Sequence, residues 1–420
     1  MDTMDVIPSF GLLTWISSVR FQVMMTPLDN SPIGRVTTIT GYDHRFRESY
    51  EVEAFLPDDL PDEVDFPGST WLVLSEAMAE LGRLDAAASL IPNPMLVTRM
   101  ATRREAIGTS ALEGTFAALA ELLAAEVLPT AEEGASLPPN IREVRNYVRA
   151  ADVAYNWIVD RPITLGMLAA LQAQIVKDTD SDGPEAGALR ERQVFIGARD
   201  RRLSDARFVP PPPGDHLLAS CERWLAWLTA PAPVANIQMI ARVAMAHYQL
   251  ESLHPFTDGN GRIGRLVAIL QMMREKALRS PVLSVSPWLK DHADAYRDHL
   301  LAVSQSGEWA PWIEFFATAV REEARTGHDR IMSLLALRAE ITKQVRASLP
   351  RARIALEIAE DLIAYPILTV ADAHHRYGRT NQANRNAIAA LVGLGILEPY
   401  SAATYDRLYW NRNVFQIVDQ

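Results

Sequence analysis

Cysteine is nearly absent from this chain. One cysteine, Cys221, stands among 420 residues, so an internal disulfide is excluded and a reducing compartment is favoured. Cys221 lies within the apolar pattern of a helix, which indicates a small core residue and not a nucleophile. The sequence also has no apolar run long enough to span a bilayer. These features predict a cytoplasmic protein without membrane contact.

Excess positive charge is missing as well. Lysine and arginine together number 41 against 52 aspartates and glutamates, which gives a net charge of −11. Such a balance argues against general nucleic-acid binding, because that binding neutralises many phosphates. The start of the chain lacks the basic residues of a signal peptide, since Asp2 and Asp5 precede a short apolar stretch. Met24 and Met25 offer later translation starts. We therefore expect residues 1–34 to be disordered or to result from a wrongly assigned start residue.

The most informative segment that is present reads HPFTDGNGRIGR, residues 254–265. Gly259 and Gly261 have no Cβ, so the backbone can fold tightly and turn its N–H groups toward one point. The residues that follow have helical spacing, so the loop opens a helix, whose N-terminus favours anions. Arg262 and Arg265 share one face of that helix and can hold two successive phosphates. The segment predicts a polyphosphate site.

The same segment carries groups suited to chemistry. His254 titrates near neutral pH and suits a general base, while Asp258 offers an oxygen ligand for Mg²⁺. Asn260 can donate an amide hydrogen bond to the phosphates, and Phe256 is an apolar plug for the loop. Taken singly, each residue has an ordinary structural explanation, such as a helix N-cap for Asp258. Their order and spacing together favour the phosphate site.

This segment resembles the Fic-domain signature, HPFxxGNGRxxR, at every fixed position. The resemblance implies a mainly α-helical Fic-type fold and transfer of AMP from ATP to a protein hydroxyl. It implies that His254 deprotonates the hydroxyl, that Asp258 holds Mg²⁺ and that Arg265 takes the γ-phosphate. The remaining phosphate-binding residues that it implies are Gly259, Asn260, Gly261, Arg262 and Gly264. Phosphoryl-type transfer depends mainly on positioning and charge neutralisation, which agrees with this set.

A second motif lies upstream in GTSALEGTF, which begins at Gly108. Thr109, Glu113 and Gly114 fit the inhibitory pattern of the same family, [S/T]xxxE[G/N]. The resemblance implies that Glu113 reaches Arg265 and occupies the guanidinium fork that the γ-phosphate needs. The alternative is that Glu113 only starts a helix, where a negative side chain is favourable.

A third segment resembles the family's flap, a small β-hairpin that aligns the target by strand addition. It is a short β-prone run between charged residues, made of Gln193, Val194, Phe195 and Ile196. An ordinary surface hairpin is the alternative. The PPPP sequence at 210–213 is a stiff connector into the next helix.

Helical patterns cover most of the chain. We predict irregular or weakly β structure at 35–66 and then helices at 70–91, 95–127, 140–158, 164–177, 214–229, 235–252, 260–277, 287–305 and 309–348. We divide the chain into an N-terminal helical region with the inhibitory helix at 35–130, a Fic catalytic core at 131–345 and a C-terminal unit at 351–420. Tyr296 could wall an adenine or pack in the core, and His247 fits a core histidine.

The C-terminal unit resembles a winged helix. Its pattern is helix, strand, helix, turn, helix and two strands, with Gly378 in the turn and Thr380 as an N-cap. A role in reading DNA would use Asn381, Gln382, Asn384 and Arg385. Because acidic and basic residues are balanced here, DNA binding is weakly supported, and contact with proteins or a homodimer is favoured.

Two classes of function follow. The first is an autoinhibited protein adenylyltransferase that uses ATP and Mg²⁺ to modify a Tyr, Thr or Ser hydroxyl of an unidentified target protein, or of itself. The second is a non-enzymatic regulator or adaptor that uses the winged helix on a Fic scaffold. The complete catalytic set favours the enzyme, since a scaffold needs neither His254 nor both arginines. Within the enzyme class, removal of AMP or transfer of another phosphate-linked group stays open.

Overall fold

A computed structural model describes residues 28–43, 46–91, 93–127, 137–197, 206–230, 237–400 and 407–419. The chain is mainly α-helical there, as predicted. Most helices lie within a few residues of the predicted ranges: α1 (Gly68–Ser89), α4 (Pro139–Trp157), α5 (Leu165–Val176), α6 (Asp215–Thr229), α7 (Met239–Leu253), α8 (Asn260–Arg274) and α11 (Trp309–Ser348). In these described ranges, no helix is both long enough and apolar enough to cross a membrane.

Two antiparallel strands precede the helices. Strand β1 (Gly34–Asp43) pairs with β2 (Glu48–Pro57) from Gly34 opposite Pro57 to Asp43 opposite Glu48. The prediction of irregular or weakly β structure at 35–66 is confirmed, because two strands lie at its start and residues 58–67 are irregular. The region predicted as helical from residue 35 therefore begins with a hairpin. The β-branched residues of VTTIT in β1 favour a pleated strand, and the end of β2 is buried continuously from Ala54. The hairpin is thereby anchored to the core.

The predicted helix at 95–127 is two helices, α2 (Met95–Leu112) and α3 (Leu119–Val127). The break follows Glu113, which is the C-cap of α2, and Gly114 continues with φ 93°. Glycine adopts this left-handed conformation at little cost, so the chain turns here. Glu113 therefore ends a helix and does not start one, and the alternative explanation for this residue was wrong.

The predicted helix at 287–305 is also divided, into α9 (Ser286–Asp291) and α10 (Ala293–Ser306). His292 lies between them with φ −115° and ψ 31°, outside helical geometry. Helices α7 and α8 form the centre of the core, because nearly every residue of both is buried. Helices α2, α4, α5 and α11 pack around this pair. The loop that joins α7 to α8 therefore starts from a fixed framework.

The C-terminal unit follows the predicted order of elements. These are α12 (Arg353–Asp361), β3 (Ile367–Leu368), α13 (Val370–Tyr377), α14 (Asn381–Gly393), β4 (Glu398–Pro399) and β5 (Tyr409–Trp410), with the strands in the antiparallel order β3-β5-β4. Gly378 takes φ 63° in the turn, and Thr380 accepts a hydrogen bond from the amide of Ala383. Both predictions are confirmed, while the assignment as a winged helix stays a prediction.

Two features of this unit differ from expectation. A helix that was not predicted, α15 (Arg412–Val418), packs Val414 and Phe415 into the main core, so the end of this unit contacts the rest of the chain. The unit also has a hydrophobic cluster of its own that includes Ile358, Ile388 and Leu391, and the division into domains stays a prediction. Asn384 is fully buried and donates to the carbonyl of Arg379. It cannot read a base edge, because α14 turns this position inward, whereas the side chains at 381, 382 and 385 are exposed.

Candidate active site

The loop between α7 and α8 is built around a left-handed residue. His254 is the C-cap of α7 with φ 48° and ψ 59°, and its amide donates to the carbonyl of Leu250 at 2.9 Å. Two residues later Phe256 is buried, as expected for the plug of the loop. The tight cap redirects the chain, so that the imidazole of His254 lines a cavity of about 160 Å³. The sequence alone did not indicate this backbone conformation.

The imidazole of His254 is suited to accept a proton. Its Nδ1 lies 3.3 Å from the carbonyl oxygen of Glu251, so a proton on Nδ1 can be donated there while Nε2 stays available. Burial lowers the pKa of His254 to about 4, despite the opposing effect of the Glu251 carbonyl. The ring is therefore neutral at neutral pH, which is the state that a general base requires.

Arg265 lies at the other end of the same cavity, where it forms hydrogen bonds with residues at the end of α2. Its Nη2 donates to Glu113 Oε1 at 2.5 Å, and its Nε donates to Thr109 Oγ1 at 2.6 Å. Thr109 and Glu113 are four residues apart and share one face of α2. The structure thus brings Thr109 and Glu113, two of the three residues of the upstream motif, onto the second arginine of the loop motif.

The pair between Glu113 and Arg265 is charged. Burial raises the pKa of Glu113, but the attraction of Arg265 outweighs it and the net shift is downward. Burial also lowers the pKa of Arg265, and Glu113 reverses that effect, so the net shift is upward. The side chain of Arg265 is only 2% exposed whereas that of Glu113 is 38% exposed. The carboxylate of Glu113 is therefore the partner that solvent can reach.

Gly261 and Gly264 have different roles. A Cβ on Gly261 would lie 2.2 Å from Glu113 Oε1 and 2.8 Å from Arg265 Nη1. The backbone of Gly261 thus forms the floor under the ion pair. A Cβ on Gly264 would instead meet Glu251 Oε1 at 2.5 Å on the neighbouring α7. Gly264 allows the two central helices to approach each other. It faces α7 and not the start of α8, where the phosphates were expected to bind.

Asp258 and Arg262 occupy the remaining part of the loop. Asp258 accepts hydrogen bonds from its neighbour Gly259 N at 2.5 Å and from the hydroxyl of Ser181. Arg262 Nη2 donates to Asp258 Oδ1 at 3.3 Å, and Glu143 Oε2 lies 3.6 Å from Arg262 Nη1. Arg262 is thus held in place by two carboxylates at the start of α8.

The residues present fit a magnesium ion at Asp258. Mg²⁺ in nucleotide sites commonly uses one or two carboxylates and completes its shell with phosphate oxygens and water. The side chain of Asp258 is 41% exposed, so it can be reached from solvent. The described residues hold no group of three or more metal-binding side chains. A single carboxylate beside a phosphate site agrees with an ion shared with a nucleotide, not with an all-protein metal cage.

Asn260 braces the loop. Its Oδ1 accepts from the amide of Phe256 at 2.8 Å, and its Nδ2 donates to the carbonyl of the same residue at 2.8 Å. Asn260 is 2% exposed, so the amide that was expected to face phosphates is engaged within the loop. This local bond pattern keeps the backbone N–H groups at the start of α8 in place, and the sequence analysis did not anticipate it.

Two further residues hold the loop and were missed from the sequence. The amide of Gln172 donates to the carbonyl of Asp258 at 3.0 Å and accepts from the backbone of Gly187 at 2.7 Å. Arg190 is buried and bonds to the main chain of the loop. The apolar sequence LGMLAALQAQIV contains two glutamines, Gln172 and Gln174, and nothing in it singled out Gln172. For Arg190 no signal stood out among its charged neighbours.

The segment predicted as the flap forms a single bridge, and its role stays a prediction. Ile196 pairs with Phe208 in an antiparallel bridge, and Gln193 Nε2 donates to the carbonyl of Pro210 at 2.9 Å. Residues 193–195 do not form a regular strand, and residues 198–205 lie outside the described part of the chain. Phe195 packs edge-on against Tyr50 of β2, with ring centroids 5.3 Å apart. The N-terminal hairpin therefore supports the flap, which the sequence analysis did not foresee.

Tyr296 and His247 close the inner wall of the cavity. Tyr296 is 5% exposed and lines the cavity, while its hydroxyl lies 2.7 Å from His247 Nε2. Burial lowers the pKa of His247 to about 3, so this ring is a neutral core histidine, as predicted. Cys221 is likewise buried, as predicted.

Comparison with known proteins agrees with this architecture. Residues 71–156 match the N-terminal region model of the Fic/DOC family, and residues 162–272 match the Fic/DOC family model itself. A Fic family protein from Desulfovibrio desulfuricans superposes with a TM-score of 0.52 at 21% identity, over 84% of this chain and 98% of that one. At this identity the superposition supports the shared fold alone.

Curated relatives match over a shorter stretch. The protein adenylyltransferase Fic of Culex quinquefasciatus is 34% identical over 155 residues, which cover 37% of this chain and 27% of that protein. The protein adenylyltransferase fic-1 of Caenorhabditis elegans is 33% identical over 138 residues, 33% of this chain and 24% of that one. This chain thus spans about a quarter of the length of the curated relatives that it matches. With both family regions matched in sequence and the loop, helix and fold in agreement, residues 162–272 are a Fic domain of the Fic/DOC family, preceded by the family's N-terminal region at 71–156.

Proposed function

We propose that this protein is an autoinhibited protein adenylyltransferase, which transfers AMP from ATP to the hydroxyl of a Tyr, Thr or Ser side chain. The observation that carries the proposal is one cavity lined by a neutral imidazole at His254 and by the guanidinium of Arg265, with Glu113 seated on the latter. A general base and a phosphate-binding arginine are the two groups that AMP transfer needs from side chains. The curated relatives named above carry the same activity in their names.

The proposed reaction begins with nucleotide binding along the start of α8. The backbone of Gly259, Gly261 and Arg262 receives the α- and β-phosphates, and Arg265 receives the γ-phosphate once Glu113 has left it. Asp258 holds Mg²⁺, which neutralises charge on the phosphates when bound. Asn260 contributes by keeping the loop backbone in shape.

Chemistry follows at His254. The hydroxyl oxygen of the target attacks the α-phosphorus, and the bond from that phosphorus to the bridging oxygen of the β-phosphate breaks. Pyrophosphate leaves, and the proton of the hydroxyl moves to Nε2 of His254. The products are a phosphodiester-linked AMP on the target and pyrophosphate. The low pKa of His254 keeps the imidazole ready to accept that proton at neutral pH.

Autoinhibition is part of the proposal. Glu113 occupies the fork of Arg265 at 2.5 Å, so a γ-phosphate and this carboxylate compete for the same donors. ATP that enters beside Glu113 is held in a pose that does not present the α-phosphorus to the target. Thr109 supports the closed state because it holds Nε of the same guanidinium.

The target is presented by the flap. Ile196, Arg207 and Phe208 line the cavity. An extended target segment added beside Ile196 would place its hydroxyl near His254. The identity of the target protein is left to experiment, and the chain's own hydroxyls are included as substrates. The single, buried Cys221 agrees with a proposed location in the cytoplasm.

The test is labelling with ATP that carries the label on the α-phosphate or on the γ-phosphate. In the Glu113→Gly protein we expect label from the α-position, and none from the γ-position, on a target protein or on the chain itself. The Glu113→Gly, His254→Ala double variant should show no label. Label from the γ-position would reject AMP transfer in favour of phosphorylation. A folded Glu113→Gly protein that takes no label but is retained on DNA would favour the non-enzymatic regulator.

A further inference from the structure

Arg190 is a buried cation that is engaged almost entirely with main-chain carbonyl groups. The residue is 2% exposed, and within the described ranges no carboxylate forms an ion pair with it. Burial lowers its pKa to about 10. A charged group in this position is costly unless its donors are satisfied, so the carbonyl groups around it must be held where the guanidinium needs them.

Two of these carbonyl groups lie at the end of α7. Arg190 Nε donates to the carbonyl of His254 at 2.8 Å, and Nη2 reaches that of Leu253 at 3.4 Å. The C-terminal end of a helix carries partial negative charge, which favours a cation there. The backbone amide of Arg190 also donates to the carbonyl of Pro255 at 2.9 Å. Three successive carbonyl groups around the catalytic loop are thus bonded to one residue.

These bonds bear on the conformation of His254. Its φ of 48° is uncommon for a residue with a Cβ and is retained only where the surroundings enforce it. This backbone conformation determines the direction of the imidazole, because it sets how the side chain is oriented relative to the carbonyl of the same residue. The carbonyl is bonded to Arg190, while the residue lines the cavity. Arg190 holds that carbonyl, so it holds the direction of the ring.

The remaining bonds of Arg190 reach both stems of the flap. Nη1 donates to the carbonyl of Arg192 at 3.3 Å, on the stem that leads to Ile196, and Nη2 donates to that of Pro211 at 2.5 Å, beyond the returning stem. The two stems then meet in the bridge between Ile196 and Phe208. A single guanidinium therefore connects the turn that carries the imidazole to the segment that borders the target site.

We propose that Arg190 is a positioning residue that sets His254 and the flap at a fixed distance from each other, so that base and target hydroxyl meet. This inference rests on the proposed AMP transfer. It requires the planar fork of an arginine, since lysine has one compact ammonium group and cannot satisfy carbonyl groups on three separate segments. Misplacing a reacting group by about 1 Å can lower a rate by about 100-fold, so the effect should be visible in kcat.

The charge of Arg190 acts on His254 as well. Burial is the largest influence that lowers the pKa of His254, and Arg190 lowers it further. The opposing groups are the Glu251 carbonyl, the Glu113 carboxylate at the end of α2 and the Asp258 carboxylate in the loop. The Glu251 carboxyl and Arg265 line the same cavity. Removing the charge at position 190 should therefore raise the pKa of His254.

The experiment compares Arg190→Lys and Arg190→Gln, each made in the Glu113→Gly protein. Matched controls are Arg242→Lys and Arg242→Gln, because Arg242 is also 2% exposed, lies at the opposite end of α7 and pairs with Glu275 at 2.9 Å. Circular dichroism and thermal unfolding establish that each protein is folded. AMP transfer gives kcat and KM, and histidine NMR titration, assigned with His254→Ala, gives the pKa of His254.

We expect Arg190→Gln to lower kcat by about 100-fold and to raise the pKa of His254. Arg190→Lys should lower kcat by at least about tenfold while the pKa of His254 stays low, because the charge remains. In both Arg190 variants, KM for ATP should change less than kcat. In the Arg242 variants, neither kcat nor KM should change by more than about twofold.

Three results would overturn the inference. One is an Arg190→Lys protein with the kcat of its parent, another is an equal loss in the Arg242 variants, and the third is an unchanged pKa of His254 in Arg190→Gln. If Arg190→Gln does not fold, Arg190→Lys decides alone. A parent Glu113→Gly protein without any label would reject the proposed function, and the NMR titration would still test whether Arg190 sets the state of His254.

Discussion

The two ends of the cavity are held by different kinds of contact. At the His254 end the partners belong to the main chain: Arg190 bonds to backbone carbonyl groups, and Asn260 bonds to the backbone of Phe256. At the Arg265 end most partners are side chains: Nε donates to Thr109 Oγ1 and Nη2 donates to Glu113 Oε1, while one weaker bond of Nη2 goes to the carbonyl of Thr109 at 3.3 Å. Main-chain contacts change only if a segment moves, whereas a side chain can change rotamer.

This difference separates chemistry from regulation. In the proposed mechanism the imidazole of His254 is already neutral, so its protonation state would not have to change for activity. The carboxylate of Glu113 occupies the guanidinium of Arg265. Glu113 lies at the end of α2, next to Gly114, whose φ is 93°. Under the proposed function, such a switch would control which pose the nucleotide takes and would leave His254 unchanged.

The largest effect should come from the fixed end. In the Glu113→Gly protein, His254→Ala should lower kcat by about 10²- to 10⁴-fold, the usual contribution of a positioned base. Binding of ATP should be retained, because the phosphate-binding residues are intact. Rates with labelled ATP and calorimetry with unlabelled ATP measure the two quantities. Equal losses of binding and rate would contradict the separation of the two ends.

A smaller effect of opposite sign should come from the closed end. Glu113→Gln keeps the shape of the side chain and removes its charge, so AMP transfer should rise by about 5- to 150-fold, the range of a typical coupling energy. The control is Glu275→Gln, since Glu275 is also the C-cap of a helix and also pairs with an arginine that is 2% exposed. The control should leave the rate unchanged. An equal rise in the rate of AMP transfer in both proteins would mean that the loss of any ion pair at a helix end raises activity, and not the loss of the Glu113 contact in particular.

The pH dependence should reflect the depressed pKa of His254. A base is active when unprotonated, so activity is lost as the pH falls through the pKa of the folded protein, about 4, and not through the ordinary value of 6.5. At about pH 5.5 an ordinary histidine would lose about tenfold in activity, while this one should lose less than about twofold. The pH profile of kcat for the Glu113→Gly protein tests this. An acid limb near 6.5 would mean that the imidazole is more hydrated than its burial indicates.

The smallest effect should be on stability. Thr109→Val keeps the volume of a fully buried side chain but removes the acceptor of Arg265 Nε, which should cost about 1–3 kcal/mol. Thr102→Val is the matched control on the same helix, because its hydroxyl bonds to the neutral carbonyl of Thr98. It should cost less, about 1 kcal/mol. Urea unfolding measures both, and a reversed order would contradict the charged contact.

Local patterns succeeded where neighbours along the chain determine the structure. The spacing of apolar residues predicted α8 and the long α11, and glycine and threonine marked the turn and cap at Gly378 and Thr380. At 35–66 the sequence predicted only irregular or weakly β structure, because the regular hairpin depends on burial of its end, which the alternating residues alone did not reveal. The predicted helix at 95–127 was too long for a related reason, since Gly114 in an otherwise helical sequence does not by itself prove a break.

The site divides in the same way. The sequence named His254, Asp258, Glu113 and both arginines, because these groups lie within two compact motifs. It did not name Arg190 or Gln172, and it assigned Gly264 to phosphate although this residue faces α7 and allows the two central helices to approach. Such roles depend on which segments meet in space, and spacing along the chain carries no record of that.

The order of residues in 254–265 determined, without help from the rest of the chain, that a glycine-lined turn would open a helix beside a histidine, since turn and helix formation are local. Only the tertiary structure decided that the carboxylate of α2 sits on Arg265 and that one buried guanidinium joins the histidine turn to the flap. These partners are far apart in sequence. Packing of the whole helical core is what brings them within hydrogen-bond distance.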